Sequence, residues 1–265
     1  MPAALLRIPS NYCNTSSRQF TAPMEIIFGI HAVEQALASR GRAFEYVAVA
    51  SGRGDARLQK IAQLCRAAGI PLRTMPRDEI TRLARTPGHQ GVAAVTAEKQ
   101  YSDLEDLLQR KRGAYAFLVA LDGVEDPHNL GAIIRTAEGA GADGIIIPER
   151  RAAGITATVV KASAGASEYL PVAKVTNMSR TMEELKQNNI WTVGLDERAA
   201  QSYDQLDYKM DCALLLGAEG HGLHEQIRKK CDFLVSIPML GKVPSLNVSV
   251  AGAIVMYEVA RQRRK

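Results

Sequence analysis

Residues 237–254 read IPMLGKVPSLNVSVAGAI, and the character of the chain changes twice within them. A β-like run, Phe233 to Ile237, gives way to a loop containing Pro238, Gly241 and Pro244. The loop ends in Ser245-Leu246-Asn247, and a helix rich in small residues follows at once. The first N–H groups of a helix have no partner inside it. A hydroxyl and an amide placed at that point, beside those N–H groups, make a site suited to a polar, partly charged ligand. The plain alternative is a helix cap, because Ser and Asn are favoured there for binding the same N–H groups. The tripeptide alone leaves both readings open; two further segments decide between them.

One is ALLLGAEGHGLHEQIRKKC, residues 213–231. A buried strand runs into Gly217, Gly220 and Gly222 before a helix, which predicts a backbone that comes close to a ligand. The spacing G-x-x-G-x-G differs from the dinucleotide fingerprint and no ribose-binding acid follows on a later β-unit, so a nicotinamide or flavin site is disfavoured. Glu219 in this loop is either an exposed turn acid or a carboxylate facing the ligand. The other segment is LDGVEDPHNLGAIIRTAEGAGADGIIIP, residues 121–148. Here a strand ends at Asp122, a turn carries Asp126-Pro127-His128, and a helix opens at Asn129. Asn129 and Arg135 lie within two turns of each other, and Gly131 permits close approach of another backbone or a ligand. The alternative reading has Asn129 as the cap and Arg135 paired with Glu138.

Around these segments, helical and strand patterns alternate from Met24 onward. His31–Arg40, Ala56–Ala68 and Asp78–Arg85 read as helices, the second closed by Gly69 and the third capped by Asp78. Tyr46–Ala50, Pro71–Met75 and Gly91–Ala97 read as strands. Residues 24–97 thus form a small α/β unit, and 98–113 a charged connector with room for a short helix. In 114–265, strands are expected at Ala116–Leu121, Gly144–Ile147, Leu170–Val175, Trp191–Leu195, Ala213–Leu216 and Phe233–Ile237. Helices fall near Leu130–Gly139, Thr158–Ala164, Met182–Gln187, His224–Lys230 and from Val248 to about Arg263. Near-continuous apolar strands alternating with helices predict a parallel sheet covered on both faces. Residues 1–23 hold two Arg and no acid; they read as a disordered extension upstream of Met24 rather than a secretory signal.

Composition narrows the function classes. The apolar share is 46% and the net charge +5. Residues 24–97 carry 10 Lys/Arg against 6 Asp/Glu, whereas 114–265 carry 17 against 18. A basic unit beside a near-neutral one fits a phosphate-backbone reader joined to a catalytic unit. No apolar run approaches the roughly 20 residues that span a bilayer, so no membrane association is expected. Cys13, Cys65, Cys212 and Cys231 stand far apart without His at ligand spacing. They read as reduced thiols of a cytoplasmic protein, with no metal site.

Taken in order, NLGAIIR, LLLGAEGHGL and IPMLGKVPSLNVSVA resemble the three signature motifs of the SpoU (TrmH-like) family of RNA ribose 2′-O-methyltransferases, in the SPOUT superfamily. The resemblance covers about Tyr115 to the C-terminus. The first unit, with FGIHAVEQAL near its start, looks like the ribosomal-protein-like RNA-binding domain that precedes the catalytic domain in ribosomal RNA members, and the nearest subgroup is the 23S rRNA guanosine 2′-O-methyltransferases. The resemblance implies an α/β parallel-sheet domain with a deep trefoil knot, a fold that the rarity of knotted chains would otherwise exclude. It implies S-adenosylmethionine held by Gly217, Ile237 and Leu246 largely through backbone groups, and a polar active site of Asn129, Arg135, Glu219, Ser245 and Asn247. It also implies a homodimer whose two subunits complete the site. Ala218 stands where some members have Asn, which bears on the contacts of that loop.

Chemically, a ribose hydroxyl becomes a good nucleophile only as its proton leaves. No His is an obvious base: His128 is nearest, and His221 and His224 lie beyond the glycine loop. The resemblance makes Arg135 catalytic. Because Arg stays protonated, its expected work is to clamp an RNA phosphate and stabilise the developing alkoxide, with a phosphate oxygen or Glu219 taking the proton. Asn129 would orient Arg135 or the ribose, and Ser245 and Asn247 would hold the loop and nucleotide. Candidates for RNA capture are Arg53, Arg57, Arg66, Arg73 and Arg82. Rival readings are the same chemistry on transfer RNA and a non-catalytic RNA-binding assembly factor.

Overall fold

The computed structural model describes residues 23–52 and 56–264. The N-terminal extension up to residue 22, Cys13 and Arg53 lie outside the described residues. Strand β1 (Met24–Phe28), which the sequence pattern does not single out, leads into α1 (Ile30–Ser39). Then come β2 (Phe44–Ala50), α2 (Ala56–Ala68), β3 (Leu72–Met75), α3 (Arg77–Ala84) and β4 (Val92–Ala97). The four strands form one sheet in the order β1-β4-β2-β3. β1 and β2 run antiparallel to β4, and β3 runs parallel to β2. Alternate side chains of a strand face opposite ways. Ile27, Val47, Val92 and Ala94 therefore join α1 and α2 in one core layer, and Tyr46, Ala48, Ala93 and Val95 join Ile80 of α3 in the other.

The start of α3 differs from the sequence reading. Asp78 does not cap it: the cap position is Pro76, and Asp78 and Glu79 lie in the first turn, where carboxylates favour the positive end of the helix dipole. Gly69 does close α2, with φ +63° and Ile70 N donating to Cys65 O at 2.9 Å.

Residues 98–113 pack against the second unit. Helix α4 (Leu104–Gln109) buries Leu107 in that unit's core. The order from there is β5 (Phe117–Asp122), α5 (Pro127–Gly139), β6 (Gly144–Pro148), α6 (Ala157–Ala162), a 3-10 turn at Ala166–Glu168, β7 (Val172–Val175), α7 (Met178–Gln187), β8 (Trp191–Leu195), β9 (Gln201–Ser202), β10 (Cys212–Gly217), α8 (Glu225–Lys230), β11 (Phe233–Ser236) and α9 (Val248–Arg263). All seven strands are parallel, in the order β7-β6-β5-β10-β8-β11-β9.

Alternation again sorts the core. Phe117, Val119 and Leu121 of β5 pack with Leu130, Ile133 and Ile134 of α5 and Val255, Met256 and Val259 of α9. Leu118 and Ala120 face the other way, onto Leu107, Met182, Leu185 and Ile227. Gly131 lets α5 lie directly on α6, since a Cβ there would stand 2.4 Å from Ala162 Cβ. Because every strand points the same way, the loops after β5, β8, β10 and β11 gather at one edge. β10 sits between β5 and β8, and the strand order switches at the β5–β10 seam; such a switch opens a crevice at the carboxyl edge.

Candidate active site

Strand β10 ends at Gly217, and the chain closes a tight loop in which Ala218 and Gly222 exchange both backbone hydrogen bonds at 3.0 Å. Gly217 is required sterically: a Cβ there would fall 2.0 Å from the carbonyl carbon of Gly222. Gly220 and Gly222 take positive φ, the conformation glycine adopts without penalty. This turn lifts Glu219 to the edge of the sheet.

Helix α5 begins at Pro127, not Asn129. Asp126 is its cap, accepting from His128 N at 2.9 Å. Asn129 is thereby freed from capping and lies buried inside the first turn, 7% exposed. Its Nδ2 donates to Glu219 Oε1 at 2.9 Å, and its Oδ1 accepts from Asn247 Nδ2 at 3.0 Å. Asn247 Nδ2 also donates to Glu219 Oε1 at 2.5 Å. Asn247 is itself the cap of α9, its Oδ1 accepting from Ser249 N at 2.9 Å, Val250 N at 3.4 Å and Ser249 Oγ at 2.6 Å. The cap reading and the ligand-site reading of Asn247 are therefore both fulfilled by one side chain, its oxygen serving the helix and its nitrogen the cluster. A closed triangle of Asn129, Glu219 and Asn247 ties together the loops after β5, β10 and β11.

Beside the triangle lies a cleft of about 620 Å³, inside the size range of small-molecule sites. Gly217, Glu219, Ile237, Ser245, Leu246 and Asn247 all line it. Ser245 makes no hydrogen bond among the described residues and leaves the capping of α9 to Asn247. Leu246 and Met239 remain part-exposed as apolar wall. Arg135 does not join this group. It is exposed, is absent from the cleft lining, and makes no hydrogen bond or ion pair with a described residue, Glu138 included. Asn129 spends its amide on Glu219 and Asn247 and makes no hydrogen bond to Arg135.

The far wall comes from the loop after β8, which the sequence reading does not single out: Asp196, Glu197 and Arg198 line the cleft. Asp196 is 5% exposed and takes Arg198 Nη2 at 2.8 Å and Arg228 Nε at 2.8 Å. The hydrogen bonds from Arg198 hold its carboxyl down at about 2, against the burial that opposes ionisation. His221 also lines the cleft. His224 is turned toward Asp122, with Nδ1 3.0 Å from Oδ2 and its backbone N–H donating to the same oxygen at 2.9 Å. Among the described residues, no group of three His, Cys, Asp or Glu could hold a metal ion, and no helix is long and apolar enough to cross a membrane.

The cleft thus has an apolar side at Ile237, Met239 and Leu246, a charged side at Asp196, Glu197 and Arg198, and the polar triangle at its edge. The SpoU rRNA Methylase family model matches residues 116–257. The chain belongs to the SpoU methylase family. It is an RNA methyltransferase. A second model, described as RNA 2′-O ribose methyltransferase substrate binding, matches residues 26–102. A protein of Bacillus subtilis named a TrmH family tRNA/rRNA methyltransferase, YacO, is 43% identical over 242 residues, which is 90% of this chain and 96% of that protein. Among solved structures, the SpoU methyltransferase AviRb from Streptomyces viridochromogenes, in complex with its cofactor AdoMet, superposes with a TM-score of 0.76 at 26% identity, covering 91% of this chain and 90% of that one. An AdoMet-bound rRNA methyltransferase from Sinorhizobium meliloti gives 0.75 at 27% identity, covering 91% and 88%. In this SpoU member, then, the triangle and cleft occupy the carboxyl edge of the methyltransferase sheet.

Proposed function

We propose that this protein transfers the methyl group of S-adenosylmethionine to a ribose 2′-hydroxyl of RNA, that the RNA is ribosomal, and that a guanosine of 23S rRNA is the target to test first. The observation that carries the reading is the Asn129–Glu219–Asn247 triangle standing at the edge of a cleft lined by Gly217, Ile237 and Leu246. An RNA substrate is supported by the substrate-binding match at residues 26–102, and ribosomal RNA by a likeness to the S. meliloti rRNA methyltransferase that spans both units.

Bound in the cleft, the cofactor would supply a methyl group on a positively charged sulfur. The 2′-oxygen would bond to that carbon as the carbon–sulfur bond breaks, and the hydroxyl proton would have to leave. Both amide donors of the triangle fall on Glu219 Oε1, and Oε2 accepts no hydrogen bond from a described residue. Oε2 is therefore the oxygen we assign to receive the proton. Gly217 and the backbone around Leu246 would hold the nucleoside, Ser245 Oγ would bind the nucleotide from the loop, and Asn129 and Asn247 would fix the carboxylate.

Arg135 sits apart from its own chain's cleft on the helix beside α9, where Val250 and Tyr257 each leave 48% of their surface exposed. We assign Arg135 to the cleft of a second copy of the chain, with the α5–α9 face as the contact between copies; there its guanidinium would hold an RNA phosphate and the developing alkoxide. The test of the whole reading is a map of 2′-O-methylation on total RNA from cells with and without this protein. A ribosomal position that loses its methyl group supports the proposal; identical maps would refute it, and loss confined to transfer RNA would redirect it.

A further inference from the structure

The two sheets are not beads on a string. Arg42, in the N-terminal unit between α1 and β2, has a side chain with no exposed surface. Its Nε and Nη2 donate to Glu168 Oε2 and Oε1 at 2.9 and 2.8 Å, and the Glu168 side chain is equally enclosed. Arg42 Nη1 also pairs with Glu25 of β1 and reaches Ala97 O at 3.4 Å. Glu168 belongs to the methyltransferase unit, in the 3-10 turn after α6. Lys99, at the start of the connector, donates to Glu168 O at 3.0 Å.

A reciprocal contact runs the other way. Lys161 of α6 donates to Gly88 O at 2.9 Å and stands 5.4 Å over the Phe28 ring, both in the N-terminal unit. Between these two sets of contacts, Val160 is fully buried in the core formed by α1, α2 and their sheet, with Ile155 packed against it. Tyr169 Oη donates to Gln35 Oε1 at 2.7 Å. The segment that makes all these contacts, residues 155–169, is the same one on which α5 rests through Gly131 and Ala162. α5 carries Asn129.

We propose that Arg42 and Glu168 are positioning residues: the buried bidentate pair locks the N-terminal unit onto α6 and its following turn, so that RNA gripped by that unit meets the methyl-transfer cleft in one fixed register. The inference rests on the reading of residues 26–102 as the RNA-gripping unit. A bidentate guanidinium–carboxylate pair fixes orientation as well as distance. Its burial keeps salt from screening it, in contrast to exposed pairs. Replacing a buried pair by apolar residues of similar volume is often neutral, whereas removing one partner leaves an uncompensated charge. That contrast supplies the test.

The full-length protein is compared with Glu168→Gln, Arg42→Met and the double variant Arg42→Met/Glu168→Met. Each is measured for S-adenosylmethionine affinity by calorimetry, for kcat and KM with ribosomal RNA, and for solution shape by small-angle X-ray scattering. Each single variant should raise KM for RNA about tenfold, equivalent to about 1.4 kcal/mol. It should leave cofactor affinity unchanged, lower kcat little, and broaden the scattering profile as the units move independently. The double variant removes both members of the buried pair and leaves only the part-exposed Glu25 without its cation, so it should return KM toward that of the parent. A single variant with unchanged KM and unchanged shape overturns the proposal. So does one that loses cofactor affinity in parallel with RNA affinity, because the pair would then be holding the methyltransferase fold itself. If the parent methylates no RNA, the proposed function fails, while the scattering comparison still decides whether the pair locks the two units.

Discussion

Two polar clusters in this molecule join residues far apart in the chain, and they are built to opposite specifications. The Asn129–Glu219–Asn247 triangle sets one carboxylate against two neutral amides and leaves Glu219 exposed at the rim of a cleft. The Arg42–Glu168 pair sets charge against charge with neither side chain exposed. A cluster that is open and half-satisfied keeps an oxygen for chemistry; one that is closed and fully paired serves geometry. The difference teaches where to look for function in a sheet protein: among the polar groups that retain spare bonding capacity.

Breaking the closed cluster should have the largest effect on stability. Arg42→Met leaves Glu168 buried without its cation and should cost about 3–5 kcal/mol, read from the denaturant midpoint with tryptophan fluorescence of Trp191. Damage to chemistry should come instead from Arg135→Ala. Loss of a donor to a developing oxyanion lowers kcat on the order of 10²–10³-fold, and this exposed side chain should cost almost no stability. If two copies share a site, mixing Arg135→Ala with Asn247→Ala subunits should recover part of the activity that neither variant has alone. No recovery in the mixture would assign Arg135 to its own chain.

Gly217→Ala forces a Cβ into the backbone of Gly222. An overpacking cost of about 1–3 kcal/mol is expected, together with weakened S-adenosylmethionine binding measured by calorimetry. Asn247→Asp separates the two duties of one side chain. It keeps an oxygen to cap α9, so stability should change by less than the roughly 1 kcal/mol of a lost cap, yet it places a carboxylate against Glu219 and should lower kcat sharply. A thermal midpoint that falls as far as in Asn247→Ala would show that the cap is not retained.

The smallest effect concerns pH. Asp196 has its carboxyl lowered from 3.8 to about 2, chiefly by Arg198. A lowered carboxylate adds stability that is present above its unfolded pKa and lost as pH falls through the folded one. Between about pH 4 and pH 2 the protein should therefore lose a stability increment that Arg198→Ala already lacks. Because Arg198 is about half exposed, the increment is modest. Identical acid titrations for parent and variant would remove the assignment.

Much of this architecture is legible in the amino-acid sequence. Apolar runs mark six of the seven strands of the second unit within a residue or two, since both faces of that sheet are covered and its strands read as continuous hydrophobic stretches; the two-residue edge strand β9 carries no such run. The polar residues that converge are those that follow strands β5, β10 and β11. What the pattern hides has specific causes. β1 has no polar–apolar alternation beyond Glu25, because Ile26, Ile27 and Phe28 run on as one short apolar stretch into Gly29 and α1, so MEIIF carries little periodicity. Asn129 reads as a cap because Asp126-Pro127, two and three residues earlier, supplies the same chemistry, and only the fold shows which residue uses it. The Asp196–Arg198 wall depends on β8 lying beside β10, and strand order is not written locally. The Arg42–Glu168 pair spans 126 positions, with nothing at either end to announce the other.

The central claim is that these loops carry a methyl group to a ribose oxygen. It is tested most directly by incubating the purified protein with ribosomal RNA and S-adenosylmethionine labelled on the methyl, then digesting the RNA to nucleosides. The account predicts label in a 2′-O-methylated nucleoside, lost in Glu219→Gln and Arg135→Ala. Label on a base, or none in any RNA supplied, would contradict it.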